Sequence, residues 1–181
     1  MLAAVARPDR SPGSVPSRCR YGLWRGPGEL NDLAQLNDMD DETLLAQFEA
    51  GTWPLDQWHH RAHIKIAYLY LSRHSLAAAT EKVCSAIRAY NAAQQMPESL
   101  IRGYHETMTQ AWLRLVYLTI CEFGPGAGAD EFVDQHNQLL SKRALLLFYS
   151  SDLIMSAEAK HRFVEPELAP LPRSKKENHA A

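Results

Sequence analysis

Four histidines in two short runs are the side chains of this chain best suited to chemistry: His59, His60 and His63 in Trp58-His59-His60-Arg61-Ala62-His63, and His105 in Tyr104-His105-Glu106-Thr107. An imidazole offers a donor and an acceptor, or a lone pair for a metal ion, and it changes charge nearest to neutral pH. On a helix His63 stands about 40° from His59 and about 60° from His60, so the three share one arc. His105 falls on the apolar arc of a second helical pattern with Met108, Trp112, Leu115, Val116 and Ile120, and Thr109 lies one turn further along that face. Imidazoles three or four residues apart on one helix, joined by a third from a facing helix, form a geometry in which bundles hold transition metals. His60, His63 and His105 are therefore the expected ligands of an iron, zinc or copper ion. Glu106, or Asp56 one turn before His60, would add the oxygen of a two-histidine, one-carboxylate site. Such a metal with an open position makes hydroxide near neutral pH, binds a chelating substrate or binds dioxygen. Two other readings use the same residues: a metal-free pocket that binds a small ligand, and a buried polar network without chemistry.

The elements that must position these groups read as helices throughout. Asp40 caps a segment from Asp41 to Ala50 that Gly51 stops, and Ser75 caps one from Leu76 to about Gln94. Trp53-Pro54 opens a helix running to about Arg73, almost wholly apolar around its circumference apart from a narrow stripe of Arg61 and Lys65. Met96-Pro97-Glu98 starts a long helix that ends near Phe123, before Gly124-Pro125-Gly126. Gly103, inside that span, marks a close backbone approach. Asp130 caps a helix to about Phe148, and Ser156 caps a last one to Phe163. No alternating strand pattern or internal repeat occurs, so the expected fold is all-α, a single bundle of five to six helices over residues 39–172. Residues 1–38, rich in Pro, Gly and Arg, read as a disordered leader, with a mis-assigned start before Met39 as its origin; residues 173–181 read as a disordered tail.

The same motifs carry a likeness. Trp58-His59-His60-Arg61-Ala62-His63, Tyr104-His105-Glu106-Thr107, Phe148-Tyr149-Ser150 and Pro166-Glu167-Leu168 resemble an uncharacterised family of small bacterial and fungal all-helical proteins. That family carries an aromatic-x-His-x-x-His helix, a Tyr-His-Glu-Thr helix and a late Tyr-Ser followed by a Pro-acidic-Leu segment. The resemblance covers about residues 40–172. It implies that His60, His63 and His105 are the functional trio, with Glu106, Thr107, Tyr149 and Ser150 as the surrounding shell and His59 as a dispensable neighbour; the expected catalytic groups in that shell, by their own chemistry, are Glu106 and Tyr149. It implies no particular reaction.

Composition narrows the setting. With 19 basic and 21 acidic residues the net charge is −2, and no basic face for nucleic acid is indicated. No apolar run approaches the roughly 20 residues that span a bilayer. The cysteines, Cys19, Cys84 and Cys121, are odd in number and widely spaced, which suggests a reducing cytoplasm, with Cys84 and Cys121 as small core residues. His74 and His136 are expected to face solvent, and Glu158-Ala159-Lys160-His161, a lone Glu-x-x-His, lacks the second copy that a di-iron bundle needs. The expected function is a small metal-dependent enzyme acting on a small molecule, the alternatives being a non-catalytic ligand-binding module and a structural bundle.

Overall fold

The computed structural model describes residues 40–173, and the leader and the last residues of the tail fall outside the described residues. Among the described residues the chain is all-α. Its α-helices are α1 (Asp41–Glu49), α2 (His60–Leu71), α3 (Leu76–Ala93), α4 (Glu106–Phe123), α5 (Ala129–Gln135), α6 (Ser151–Ile154) and α7 (Ala157–His161), with 3-10 turns at Leu55–Gln57, Asn137–Leu140 and Lys142–Leu147. The caps behave as their chemistry requires: Asp40, Ser75 and Ser156 each accept from the N–H three residues on, satisfying donors that a helix start leaves unpaired. Ser150 does the same for the short α6. None of the helices is long and apolar enough to cross a membrane.

Helix α2 is the central rod, packed against α1, α3, α4 and α5. Ile64, Ile66, Leu69 and the residues beside them join Leu44, Phe48, Trp53, Val83, Tyr90, Leu113, Val116, Phe132 and Val133 in the main core. A second cluster, of Ala111, Leu145, Tyr149, Ile154, Ala159 and Val164, packs α4 against the C-terminal segments, and Trp112 and Leu115 touch both. The charged stripe expected on α2 is not solvated. Lys65 is 1% exposed and donates to Asp130 at 2.6 Å, while Arg61 reaches Asp130 at 2.9 Å and Asp134 at 2.7 Å. Asp130 is thus not the cap of α5. Gly128 holds that place, the Ala129 N–H goes to Asp41, and Asp130 in the first turn turns its carboxylate onto α2.

Helices expected from residues 97 and 130 onward are both shorter. Gly103 has φ +84°, and a Cβ there would overlap the Glu98 carboxylate, 2.1 Å away. Glu98 accepts from the Tyr104 N–H at 2.9 Å and pairs with Lys160 at 3.2 Å. Lys160 also donates to the carbonyls of Arg102 and Tyr104. Ser99 and Arg102 exchange backbone hydrogen bonds across a tight turn whose tip is Leu100-Ile101. A helical path through 98–105 would break all of these. Helix α5 ends where His136, expected at the surface, is buried between Phe123 and Phe132. Beyond it the apolar run is wound as 3-10 turns.

The Asp130 pairing yields a direct test. Replacing Asp130 with Ala strands a buried ammonium, so urea unfolding is expected to show a loss of about 3 kcal/mol; a loss below about 1 kcal/mol, the level of an exposed pair, would contradict the buried network.

Candidate functional site

Each histidine of the expected trio donates a ring proton to a main-chain carbonyl. A carbonyl can only accept, which settles the tautomers. His60 donates from Nε2 to Leu139 at 2.9 Å. His63 donates from Nδ1 to the His59 carbonyl at 2.8 Å. His105 donates from Nε2 to Ile154 at 2.9 Å, and its Nδ1 accepts the Met108 N–H at 3.3 Å. Leu139 lies in the last turn of a 3-10 segment and Ile154 ends the four-residue α6, where carbonyls lack a helical partner and the imidazoles supply one.

These rings form two neighbourhoods, not one. His60 and His63 lie close enough to lower each other's or a neighbour's basicity. Burial pushes both imidazoles down to about 4, and charge effects from His63 and Lys142 on His60, and from Lys142 and His59 on His63, act in the same direction. Their rings lie on indoles, Trp112 at 4.6 Å from His60 and Trp58 at 3.9 Å from His63. His105 is also pushed down, by burial first, but its cationic neighbours are Lys160 and His161. It lies outside the helix expected to carry it, with extended backbone, as the N-cap of α4. Among the described residues no three His, Cys, Asp or Glu side chains stand as a group able to hold a metal ion. The ligand set expected at His60, His63 and His105 is not assembled here, because His105 is drawn to Ile154 with both its nitrogens engaged.

The residues expected around the trio do structural work in separate places. Glu106 gathers donors from three directions: Arg88, Tyr104 Oη at 3.0 Å and Gln110 at 2.7 Å. Thr107 is fully buried; its hydroxyl donates to the Arg162 carbonyl at 2.8 Å and accepts the Val164 N–H at 3.1 Å. Tyr149 is fully buried too and donates to Val164 at 3.2 Å, and burial pushes its phenol up to about 12. Ser150 caps α6, and its N–H goes to Glu167 at 2.9 Å. Thr107, Tyr149, Ser150 and Glu167 together strap the segment after α7 onto the bundle. Thr109 continues the first turn of α4, half-buried, its N–H on the His105 carbonyl. His59 caps α2 with its carbonyl, and Asp56 is exposed in the preceding 3-10 turn, outside the helix.

A roomy concavity lies elsewhere, and sequence reasoning did not find it. A cleft of about 760 Å³ lies between α3, the 98–104 turn and α7, lined by Arg88, Asn91, Met96, Leu100, Tyr104, Lys160 and their neighbours. Its floor belongs to the Glu106 cluster: Arg88 is paired with Glu106 and lies over the Tyr104 ring, 4.2 Å from its centroid. Burial, then the Cys84 thiol and Glu106, raise the Tyr104 phenol well above its usual range. Asn91 is 5% exposed. Burial alone would raise the Glu98 carboxyl, but the Tyr104 N–H, Lys160 and the Asn91 amide hold it below its usual range. Facing a carboxylate, the Asn91 NH₂ is the group turned to Glu98, and Asn91 Oδ1 is left buried without a hydrogen-bond partner. Buried acceptors are rarely left so. The signal available in the sequence was weak: a lone Asn in the last turn of α3 and a Lys in a charged segment more than sixty residues later.

Searches against protein-family models, curated proteins and solved structures return no match for this chain. Geometry alone carries the functional argument.

The two low imidazoles have a measurable consequence. In the unfolded chain they titrate near 6.5, in the fold near 4, so below pH 6.5 the unfolded state binds more protons. Stability is therefore fully present above pH 6.5 and falls with pH down to about 4, at up to about 1.4 kcal/mol per pH unit for each histidine. Urea unfolding across that window is expected to show a shallower slope in His60→Gln and in His63→Gln; an unchanged slope in both would contradict the neutral, carbonyl-bound rings.

Proposed function

We propose that this protein is a small-molecule-binding helical module whose site is the cleft between α3, the 98–104 turn and α7. The observation that carries the reading is the Asn91 acceptor, buried and unpartnered in a residue that lines the cleft. The other polar groups there, Glu98, Lys160 and Tyr104, already hold one another. A natural fold keeps an unsatisfied acceptor at a cost, and such groups concentrate where a ligand completes them. The cleft volume is in the range of small-molecule sites. The two cysteines among the described residues carry no disulfide, which fits a reducing cytoplasm.

A second reading, the metal-dependent enzyme, has its own observation. His60 and His63 each fix one ring nitrogen on a carbonyl, the arrangement by which metal-ligating histidines are commonly oriented. They offer two ligands, not three. One equivalent of cobalt(II) separates the readings: visible absorption bands that disappear in His63→Ala would favour the metal centre, and an unchanged spectrum favours the cleft.

Thermal unfolding in the presence of a small-molecule library tests the cleft. Ligands at about 100 times their Kd stabilise by about 2.7 kcal/mol, a shift of several degrees that chelator leaves unchanged. Asn91→Leu is expected to abolish the shift while changing the stability of the free protein by less than about 1 kcal/mol, because the lost amide hydrogen bond to Glu98 is offset by removal of the orphan acceptor. A loss of about 2 kcal/mol or more on that substitution, or stabilisation by every ligand undiminished in it, would overturn the reading.

A further inference from the structure

We infer that the ligand of this cleft is an amphipathic organic monocarboxylate that also carries an N–H or O–H donor, with its carboxylate on Arg88, its donor for the Asn91 acceptor and its apolar body against Met96 and Leu100. This rests on the cleft being the binding site, and it goes further by naming the chemistry recognised.

Arg88 is the group on this wall prepared for an anion. Its side chain is 53% exposed, yet it is held from two sides, by the Glu106 carboxylate through Nη2 and by the Tyr104 ring beneath the guanidinium carbon. A guanidinium has five N–H donors in a planar fork, and a carboxylate matches that fork with two parallel bonds. Most exposed arginines must give up rotamer freedom to bind; this one has already done so, which favours recognition without further ordering. Glu106 in turn shares its charge with Tyr104 and Gln110, so it does not saturate Arg88.

The charge balance selects the kind of anion. Arg88 faces Glu106 and Lys160 faces Glu98, and Lys160 spends further protons on the Arg102 and Tyr104 carbonyls. Among the described residues that line the cleft no uncompensated cluster of cations stands ready for a phosphate dianion, whereas a single carboxylate needs only the open edge of one guanidinium. The remaining wall is apolar. Met96 and Leu100 line it, and Leu100 is 53% exposed at the tip of a turn fixed by Glu98, Lys160 and Gly103. A large aliphatic side chain held rigidly at the lip of a cleft gains by being covered, and an apolar ligand body covers it.

N-octanoylglycine and its neutral isostere N-octanoylglycinamide test this on the full chain, by titration followed through the backbone amide resonances of Leu100, Gly103 and Tyr104. The carboxylate is expected to bind at least about tenfold more tightly, the gain of a charge-assisted over a neutral hydrogen bond, and to weaken as salt rises. Arg88→Gln is expected to bring the two affinities to within about threefold, and Arg88→Lys to restore only part of the preference. Equal binding of both probes to the wild-type cleft would overturn the carboxylate assignment and leave the cleft as a site. Shifts at none of these three residues with either probe would overturn the cleft itself, and the assignment with it.

Discussion

A helix start leaves its first N–H groups unpaired, and in this protein the start of α4, where His105 meets that requirement, also ties three distant segments together. The four consecutive residues there point to four tasks. Tyr104 lies under Arg88 of α3. His105 caps the helix through Nδ1 and reaches the end of α6 through Nε2. Glu106 takes Arg88, Tyr104 and Gln110, and Thr107 clamps the strap at Arg162 and Val164. Because the cap is at 105, residues 97–105 are left outside the helix, and their turn becomes one wall of the cleft. Had the helix begun at Pro97, that wall would be a rod and the cleft would not exist.

His60 and His105 follow the same logic. A single-residue carbonyl at the end of a short helix has no partner in the main chain, and burial makes an unmade hydrogen bond expensive. Imidazole is well suited to such positions because it donates while remaining neutral and apolar over most of its ring. Two of the three rings titrate near 4 for that reason, since a charge there would be desolvated with no carboxylate beside it. Their concentration in two motifs reflects the places where short, irregular segments meet the long helices.

Much of the fold was legible from local signals. The caps at Asp40, Ser75 and Ser156, the extent of α3 and the end of α4 before Gly124 rest on interactions within a few residues, and the burial of α2 is written in its own nearly unbroken apolar circumference. The misreadings come from long-range pairing. Arg61 and Lys65 look like a solvated stripe until Asp130 and Asp134, some seventy residues on, are brought against them. Pro97-Glu98 looks like a helix start until Gly103 takes a positive φ and Lys160 closes the turn. The cleft was illegible for the same reason: Arg88, Asn91, Tyr104 and Lys160 come from three elements, and none carries a motif. The histidines of the two motifs are part-buried, but spacing on one helix says nothing about which carbonyl each ring will meet.

The claim on which this account turns is that α4 begins at Glu106, with His105 as its cap and the preceding residues in a fixed turn. The Cα secondary chemical shifts of residues 97–109 measure this directly. The account predicts non-helical values through His105, with Gly103 showing the signature of positive φ, and helical values from Glu106 onward. Continuous helical shifts from Glu98 through Thr109 would contradict it, and the cleft and its ligand would go with it.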